Sequence, residues 1–357
     1  MSTYKGEKIS IRIYGTSHAE KIGAVVSGFP RLEINRERLN SFMKRRAPSS
    51  SVFSTKRREP DEPIFEKGLD NGVIDGDFEV VIYNKDVKSG DYNNLYARPR
   101  PSHADYCRYL KDGVLDYRGG GEFSARLTAP LCAVGGLAKD YLFENYGVEV
   151  LAYLSSVGEV NGTSYKDCAV NKEQIKSVHG GFPSLSNGDE MLCEIEKAFK
   201  EGDSVGGTVE CIVFGMPKAI GGSLFEGLEG KISNFVYSIP AVKGVEFGMG
   251  FDISGMRGSK ANDPLEIVDG KIAVTTNNAG GINGGISNGN PITMRIAFRP
   301  TPSISLPQKT VDLERMQNVQ IKIEGRHDAC VAVRAVPVVE SAVALAILDA
   351  VLKEKNG

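Results

Sequence analysis

Short runs in which apolar and polar residues alternate recur along the chain: "ISIRIY" at 9–14, "FEVVIYN" at 78–84, "VEVLAYLSSVGEV" at 148–160, "GTVECIVFG" at 207–215 and "PITMRIAF" at 291–298. A two-residue period puts every second side chain on one face, so each run predicts a strand with one face turned to a core. Between these runs the period lengthens. Asn35 stands at an N-cap position ahead of Leu39, Phe42 and Met43, which share one helical face. Residues 125–144 read as a helix of small apolar residues. In "GDEMLCEIEKAFKEGD", apolar residues at 192, 195 and 199 follow Asp189 as the predicted cap and precede Gly202 as the predicted stop. "VVESAVALAILDAVLKEK" is apolar nearly all round until its lysines, which predicts a buried C-terminal helix.

Strands and helices are interleaved, and no stretch of linker composition or fixed-period repeat divides them. The pattern predicts one α+β domain over 1–357 but does not order the strands. Glycine changes the picture: the chain has 41, well above the average share, gathered in "RGGGEFSAR", "VGGTVE", "AIGGSLFEG" and "NNAGGINGGISNG". Such clusters let backbone pass where side chains would collide, in turns or beside a ligand. A net charge of −2 gives no global attraction for nucleic acid. The start of the chain shows no apolar signal segment, and no run is expected to be long enough to span a bilayer. The six cysteines, at 107, 132, 168, 193, 211 and 330, form no CxxC or zinc spacing. They are expected to be reduced core thiols, with no metal bound, in a cytoplasmic protein.

Candidate chemistry gathers in a few loops. "KRRAPSSSVFSTKRR" at 44–58 sets six cations around a hydroxyl-rich stretch. It fits a solvated surface loop or a pocket for a small anion; a nucleic-acid patch would bring more aromatics. "ARPRPSHADYCRY" contributes Arg98, Arg100, His103 and Arg108, and "YRGGGEFSAR" contributes Arg118 and Arg126 around three glycines. A triple glycine alone is a turn, but with cations and a helix start beside it a phosphate-binding loop becomes a real alternative. "FRPTPSIS" follows a strand, and "EGRHDACVAVRAVP" places Arg326, His327 and Asp328 in succession. Only four histidines occur, and His18, His103 and His327 all lie in small-residue loops beside serine or charge. An imidazole there serves equally as hydrogen-bonded scaffold or as a proton donor to a leaving group. Asp328 reads as a salt-bridge partner or a base. His179, in "SVHGGFPS", has no charged sequence neighbour and reads as a turn residue.

Taken in order, "GTSHAEKIG", "STKRREPDE", "NKDVKSGDY", "RPSHADY", "YRGGGEFSAR", "SIPAVKGVEFG", "GGISNG", "RPTPSIS" and "GRHDACVAVRAVPVVE" resemble the chorismate synthase family from about residue 9 to 350. The resemblance implies a single-domain β-α-β sandwich, antiparallel sheets with helices packed between them, assembled as a homotetramer. It implies conversion of 5-enolpyruvylshikimate 3-phosphate to chorismate and phosphate, with reduced FMN as cofactor and no net redox change. By the same resemblance His18 protonates the departing phosphate, His103 lies at the N1–C2 edge of the flavin, and Asp328 assists proton removal at N5. Arg46, Arg126 and Arg326 match positions that hold substrate anions. Ser124, Ala241, Gly284, Arg299, Pro300, Thr301, Pro302, Ser303 and Arg326 match flavin contacts. Three positions depart from the pattern: Ala19 replaces a glycine, Val52 replaces an arginine of the basic loop, and Glu122 replaces an arginine after the triple glycine. A carboxylate beside an anionic flavin is unfavourable unless it points away. An NADPH-using flavin reductase and a non-catalytic flavin- or anion-binding homologue are the other readings. No GxGxxG opens a helix after a strand, which argues against the first and predicts an outside source of reduced flavin.

Overall fold

The computed structural model describes residues 1–47, 61–84, 96–113, 120–323 and 328–355. Val52, Arg118, Arg326 and His327 lie outside the described residues. The first half of the chain forms strands β1 (Ser2–Lys5), β2 (Ser10–Tyr14), β3 (Lys21–Glu33), β4 (Ile64–Asp70) and β5 (Val73–Tyr83), with helix α1 (Arg36–Arg46) after β3. Helices α2 (Asp105–Asp112) and α3 (Thr128–Tyr146) lead to β6 (Glu149–Val157) and β7 (Val160–Asn161). Then follow α4 (Lys172–Ser177), α5 (Gly188–Lys200), β8 (Gly207–Phe214), α6 (Leu228–Tyr237), β9 (Val242–Phe247) and α7 (Gly258–Ala261). Three hairpins and one long strand complete the sheets: β10 (Leu265–Val268) with β11 (Lys271–Val274), β12 (Ile282–Asn283) with β13 (Ile286–Ser287), β14 (Ile292–Phe298), and β15 (Gln308–Asp312) with β16 (Gln317–Ile321). The chain ends in α8 (Ala332–Lys355).

Two five-stranded antiparallel sheets result, in the orders β1-β2-β3-β5-β4 and β7-β6-β8-β14-β9. Helix α3 packs on β3 and β5 of the first sheet, α8 packs on β6 and β8 of the second, and α3 packs on α8. This is the α+β sandwich with helices between antiparallel sheets. Alternation explains the inner faces. Ile22, Ala24, Val26, Phe29 and Leu32 of β3 point inward with Ile74, Phe78, Val80 and Ile82 of β5. From the second sheet Val150, Ala152 and Leu154 join the same core as Ala342, Leu345 and Leu348 of α8. The outer face of β6 is also covered, with Leu151 and Tyr153 packed on Ile175 of α4 and Ile212 of β8.

Strand β3, at 13 residues, was not readable as alternation. Its register shifts twice, between Val26 and Phe29 and between Phe29 and Leu32. Gly28 causes the first break: its φ is +74°, and a Cβ there would strike the Lys8 carbonyl. In α1 the Asn35 side chain accepts from the Arg38 amide at 2.9 Å, as a cap should. In α5 the cap position falls to Asn187 at φ +55°, so Asp189 sits in the first turn and makes no cap. The buried face of α5 is Met191, Ile195 and Ala198, one step round from the expected 192, 195 and 199.

Two broader expectations are corrected. Helix α8 is long and apolar enough to cross a membrane by length and composition, but its most apolar stretch, within Ala332–Glu354, is wholly buried in the protein. An interior helix touched by protein on every side needs the same all-round apolar surface as a membrane span. All six cysteines are free, yet only Cys132, Cys211 and Cys330 are buried; Cys107, Cys168 and Cys193 are exposed.

Candidate active site

Arg46, the last residue of α1, and Arg126, in the short turn before α3, are 4% and 7% exposed. Guanidinium groups that deep need anionic partners. Both find the same one. Asp61, 1% exposed, accepts from Arg46 Nη1 at Oδ2 and from Arg126 Nη1 at Oδ1. Burial alone would raise the Asp61 pKa, but the Arg46 and Arg126 charges overcome it and hold the carboxyl below its ordinary value. Further bonds fix both guanidinium planes. Arg46 Nε donates to Thr128 Oγ1 at 3.1 Å and Nη2 to the Ala125 carbonyl at 3.0 Å. Arg126 Nε donates to Asn84 Oδ1 at 2.9 Å.

Asn84 carries the network to the histidine turn. Its Nδ2 donates to the Ala19 carbonyl at 2.6 Å and its amide to the Glu20 carbonyl at 2.9 Å. On the other side of His18, the buried Ser17 donates its amide to the Gly121 carbonyl at 3.2 Å. Ser17 Oγ lies 2.9 Å from His18 Nδ1. Gly121, at φ +53°, is the turn residue that offers this carbonyl. The structure therefore brings His18, Arg126 and Arg46 into one bonded cluster with Asp61 and Asn84.

Asp328 joins from the far end of the chain. Its Oδ2 accepts from Arg334 Nη1 at 2.7 Å, and Arg334 Nε donates to the backbone carbonyl of Arg46 at 3.1 Å. The Asp328 carbonyl accepts from Thr301 Oγ1 at 3.0 Å, and the Arg299 amide donates to the Ala241 carbonyl at 3.0 Å. Ala241 sits at φ +76°, a strained setting for a residue with a Cβ. The Arg299–Ser303 segment, with Pro300 and Pro302, thus runs between Ala241 and Asp328. Ser124 Oγ accepts from the Arg126 amide at 3.2 Å. Gly284 lies apart, in the β12–β13 turn; the neighbouring Gly285 carbonyl accepts from the Leu228 amide at 3.0 Å.

His103 has its own cluster, in the loop before α2. Its Nδ1 lies 2.6 Å from Asp105 Oδ1 and 3.1 Å from Arg100 Nη2, and Arg100 Nε donates to Asp105 Oδ2 at 2.7 Å. Burial would raise the Asp105 pKa, but hydrogen bonds from Arg100 and His103 hold it well below the carboxylate range. Helix α2 ties this cluster to the glycine turn through Arg108, whose Nε is 3.9 Å from Glu122 Oε1. Glu122 also reaches the N-terminal ammonium at 3.4 Å. Its carboxylate is thus engaged by cations of the chain itself.

Sequence reasoning missed Asp61 and Asn84, although both lie in quoted motifs, because neither is a typical proton donor. His179 does lie in a turn, after α4, but its partner was not foreseen. That imidazole, at Nε2, lies 3.4 Å from Glu340 Oε1, and burial lowers its pKa to about 4 despite that carboxylate. Glu340, fully buried in α8, accepts both Arg45 Nη1 and Nη2, the Lys139 ammonium and the Ala152 amide. The sequence shows Glu340 inside an apolar stretch of α8, where a buried carboxylate must find partners, but not which partners those are. A cavity of about 880 Å³ lies against this network, lined by Arg45, Lys139, His179 and Phe182 and reaching Asp328 and Arg334.

A buried arginine pair thus shares one carboxylate next to the histidine turn, in a protein of α+β architecture. The family model for chorismate synthase matches residues 9–352, and the chain belongs to that family. It is 43% identical over 354 residues to the chorismate synthase of Thermococcus gammatolerans, covering 98% of each chain. To that of Korarchaeum cryptofilum it is 42% identical over 356 residues, covering 99% of this chain and 98% of the other. A crystal structure titled as chorismate synthase superposes with a TM-score of 0.76 at 24% identity, over 99% of this chain and 94% of that one, which shows the fold.

Proposed function

We propose that the protein is a carbon–oxygen lyase of the shikimate pathway, converting 5-enolpyruvylshikimate 3-phosphate to chorismate and phosphate by 1,4-anti elimination. Family membership over nearly the whole chain supports the reaction. One structural observation carries the site: Asp61 joins Arg46 to Arg126, and Asn84 joins Arg126 to the turn that holds His18. In the reaction the C-3 to oxygen bond breaks, hydrogen leaves C-6, and the ring gains a double bond. A phosphate leaves poorly as a full anion, so a proton and fixed positive charge must meet it. On this reading Arg46 and Arg126 hold substrate anions, together with Arg326. His18 gives its proton to a departing phosphate oxygen.

The residues also fit reduced FMN. Arg299, Thr301, Ser303 and Ser124 offer a guanidinium and hydroxyls, the donor set that a phosphate tail and a ring edge require. Ala241 is bent to φ +76° to meet Arg299, a strained setting of the kind found beside ligands. Pro300 and Pro302 stiffen the segment; Gly284, which lies apart in its own hairpin, is kept as a flavin contact on the family resemblance alone. The chemistry supplied by bound reduced FMN is electron density toward the reacting ring. His103, backed by Asp105, presents a donor to an anionic ring edge, and Asp328, held by Arg334, accepts a proton at a carboxylate oxygen. Residues 1–357 act as one domain in this reading, in a cytoplasmic homotetramer fed with reduced flavin from outside. The test is chorismate formation by the purified protein with dithionite-reduced FMN under anaerobic conditions. Failure of a folded, flavin-saturated sample to form chorismate would reject the reading.

A further inference from the structure

The strongest feature outside the residues with an assigned role is the carboxylate at the centre of the cluster. Asp61 touches both arginines that are read as substrate contacts, one with each oxygen. Two guanidinium groups share one carboxylate, so the buried group keeps a surplus positive charge, which suits the arrival of an anion. The backbone of Asp61 sits at φ +51°, in the left-handed region that aspartate and asparagine enter more readily than other residues with a Cβ.

We infer that Asp61 is a positioning residue: it fixes the spacing and orientation of Arg46 and Arg126 so that both engage the anionic groups of one substrate molecule. This rests on the lyase reading given above. The physical basis is that each arginine comes from a different element, the end of α1 and the turn before α3. Bonds from Arg46 to the Ala125 carbonyl and Thr128 Oγ1 tie it to the segment that carries Arg126, but neither bond includes the Arg126 guanidinium or sets its spacing from that of Arg46. A shared acceptor does, because the two carboxylate oxygens lie a fixed distance apart and each takes one Nη1. The remaining bonds, to Thr128, Ala125 and Asn84, then set the two planes. Burial would favour the protonated acid, but the guanidinium charges keep the carboxylate ionised, so it accepts from both sides.

Asp61→Asn tests this. An amide keeps the shape, accepts from one arginine, and turns an N–H donor toward the other. The prediction is a KM for 5-enolpyruvylshikimate 3-phosphate raised at least 10-fold, with FMN affinity within threefold of wild type. A merely structural role would lower the melting temperature or the active fraction and leave KM where it was. Asp61→Glu keeps the charge and displaces it by one methylene, and it is expected to raise KM as well. A folded variant of either kind with wild-type KM overturns the proposal. If neither folds, Arg46→Lys and Arg126→Lys decide, since each keeps charge but loses the geometry that Asp61 imposes. Both must raise KM at least 10-fold, and wild-type KM in either leaves Asp61 nothing to position and overturns the proposal. Absence of turnover in the wild type, by contrast, would strike the lyase reading itself.

Discussion

Ser17 Oγ and His18 Nδ1 lie 2.9 Å apart, so a buried hydroxyl orients the imidazole from its near side. The Gly121 carbonyl holds the Ser17 backbone in turn. If His18 is the proton donor proposed above, an imidazole fixed in this way needs no rearrangement at the moment of reaction. His18→Ala is expected to lower kcat at least 10²-fold, the usual scale for a general acid. Flavin binding, followed by the change in its absorbance, should stay near wild type. Ser17→Ala removes only the orientation and should lose less. Wild-type kcat in His18→Ala would make the imidazole a scaffold element.

Asp328 and Arg334 make the second prediction. Their 2.7 Å contact admits two accounts, a structural ion pair or an oriented proton acceptor. Asp328→Asn keeps the volume and one acceptor but removes the carboxylate. Slow turnover, with unchanged flavin affinity and a melting temperature within a few degrees of wild type, is expected. Unchanged kcat with a large fall in melting temperature would favour the ion pair instead.

The sequence made some of this visible and hid the rest for definable reasons. Strands β2 and β14 were legible because apolar and polar residues alternate along much of each, and β8 because of its short apolar run, although Val209–Val213 of β8 are buried on both faces. Strand β3 was hidden by its bulges at Gly28 and beyond, which shift the period within the strand. Helix α8 was legible as buried, but its composition equally met the requirements for a membrane span. At the site, the histidines and arginines announced themselves by residue type. Asp61 did not, because its role depends on two arginines, one 15 residues before it and the other 65 after it. Glu340 was hidden for the same reason: Arg45 and Lys139 reach it from two other helices. Sequence neighbours did not show that His179 faces Glu340, since that contact spans the fold.

His179 gives a stability prediction with a definite sign. Its pKa falls from the ordinary 6.5 to about 4 in the folded protein, through burial first, with Arg45 and Lys139 adding to it and Glu340 opposing. The unfolded chain therefore binds a proton before the folded one does. Stability contributed by the neutral ring is complete above about pH 6.5 and is lost as pH falls toward about 4. The loss amounts to about 2–3 kcal/mol across that window. Denaturant midpoints measured between these two pH values should fall for the wild type. They should fall less for His179→Gln, which places no titrating group there. Parallel slopes in the two proteins would contradict the assignment.

On the proposed reading, this chain eliminates phosphate with a reduced flavin that is not consumed. Pre-reduced FMN, purified protein and 5-enolpyruvylshikimate 3-phosphate are mixed under strict anaerobiosis without NADPH, and chorismate, phosphate and flavin redox state are followed together. Equal amounts of chorismate and phosphate, many turnovers for each flavin, and flavin still reduced at the end are expected. Flavin oxidised in proportion to chorismate, or no chorismate from folded protein with flavin bound, would contradict it.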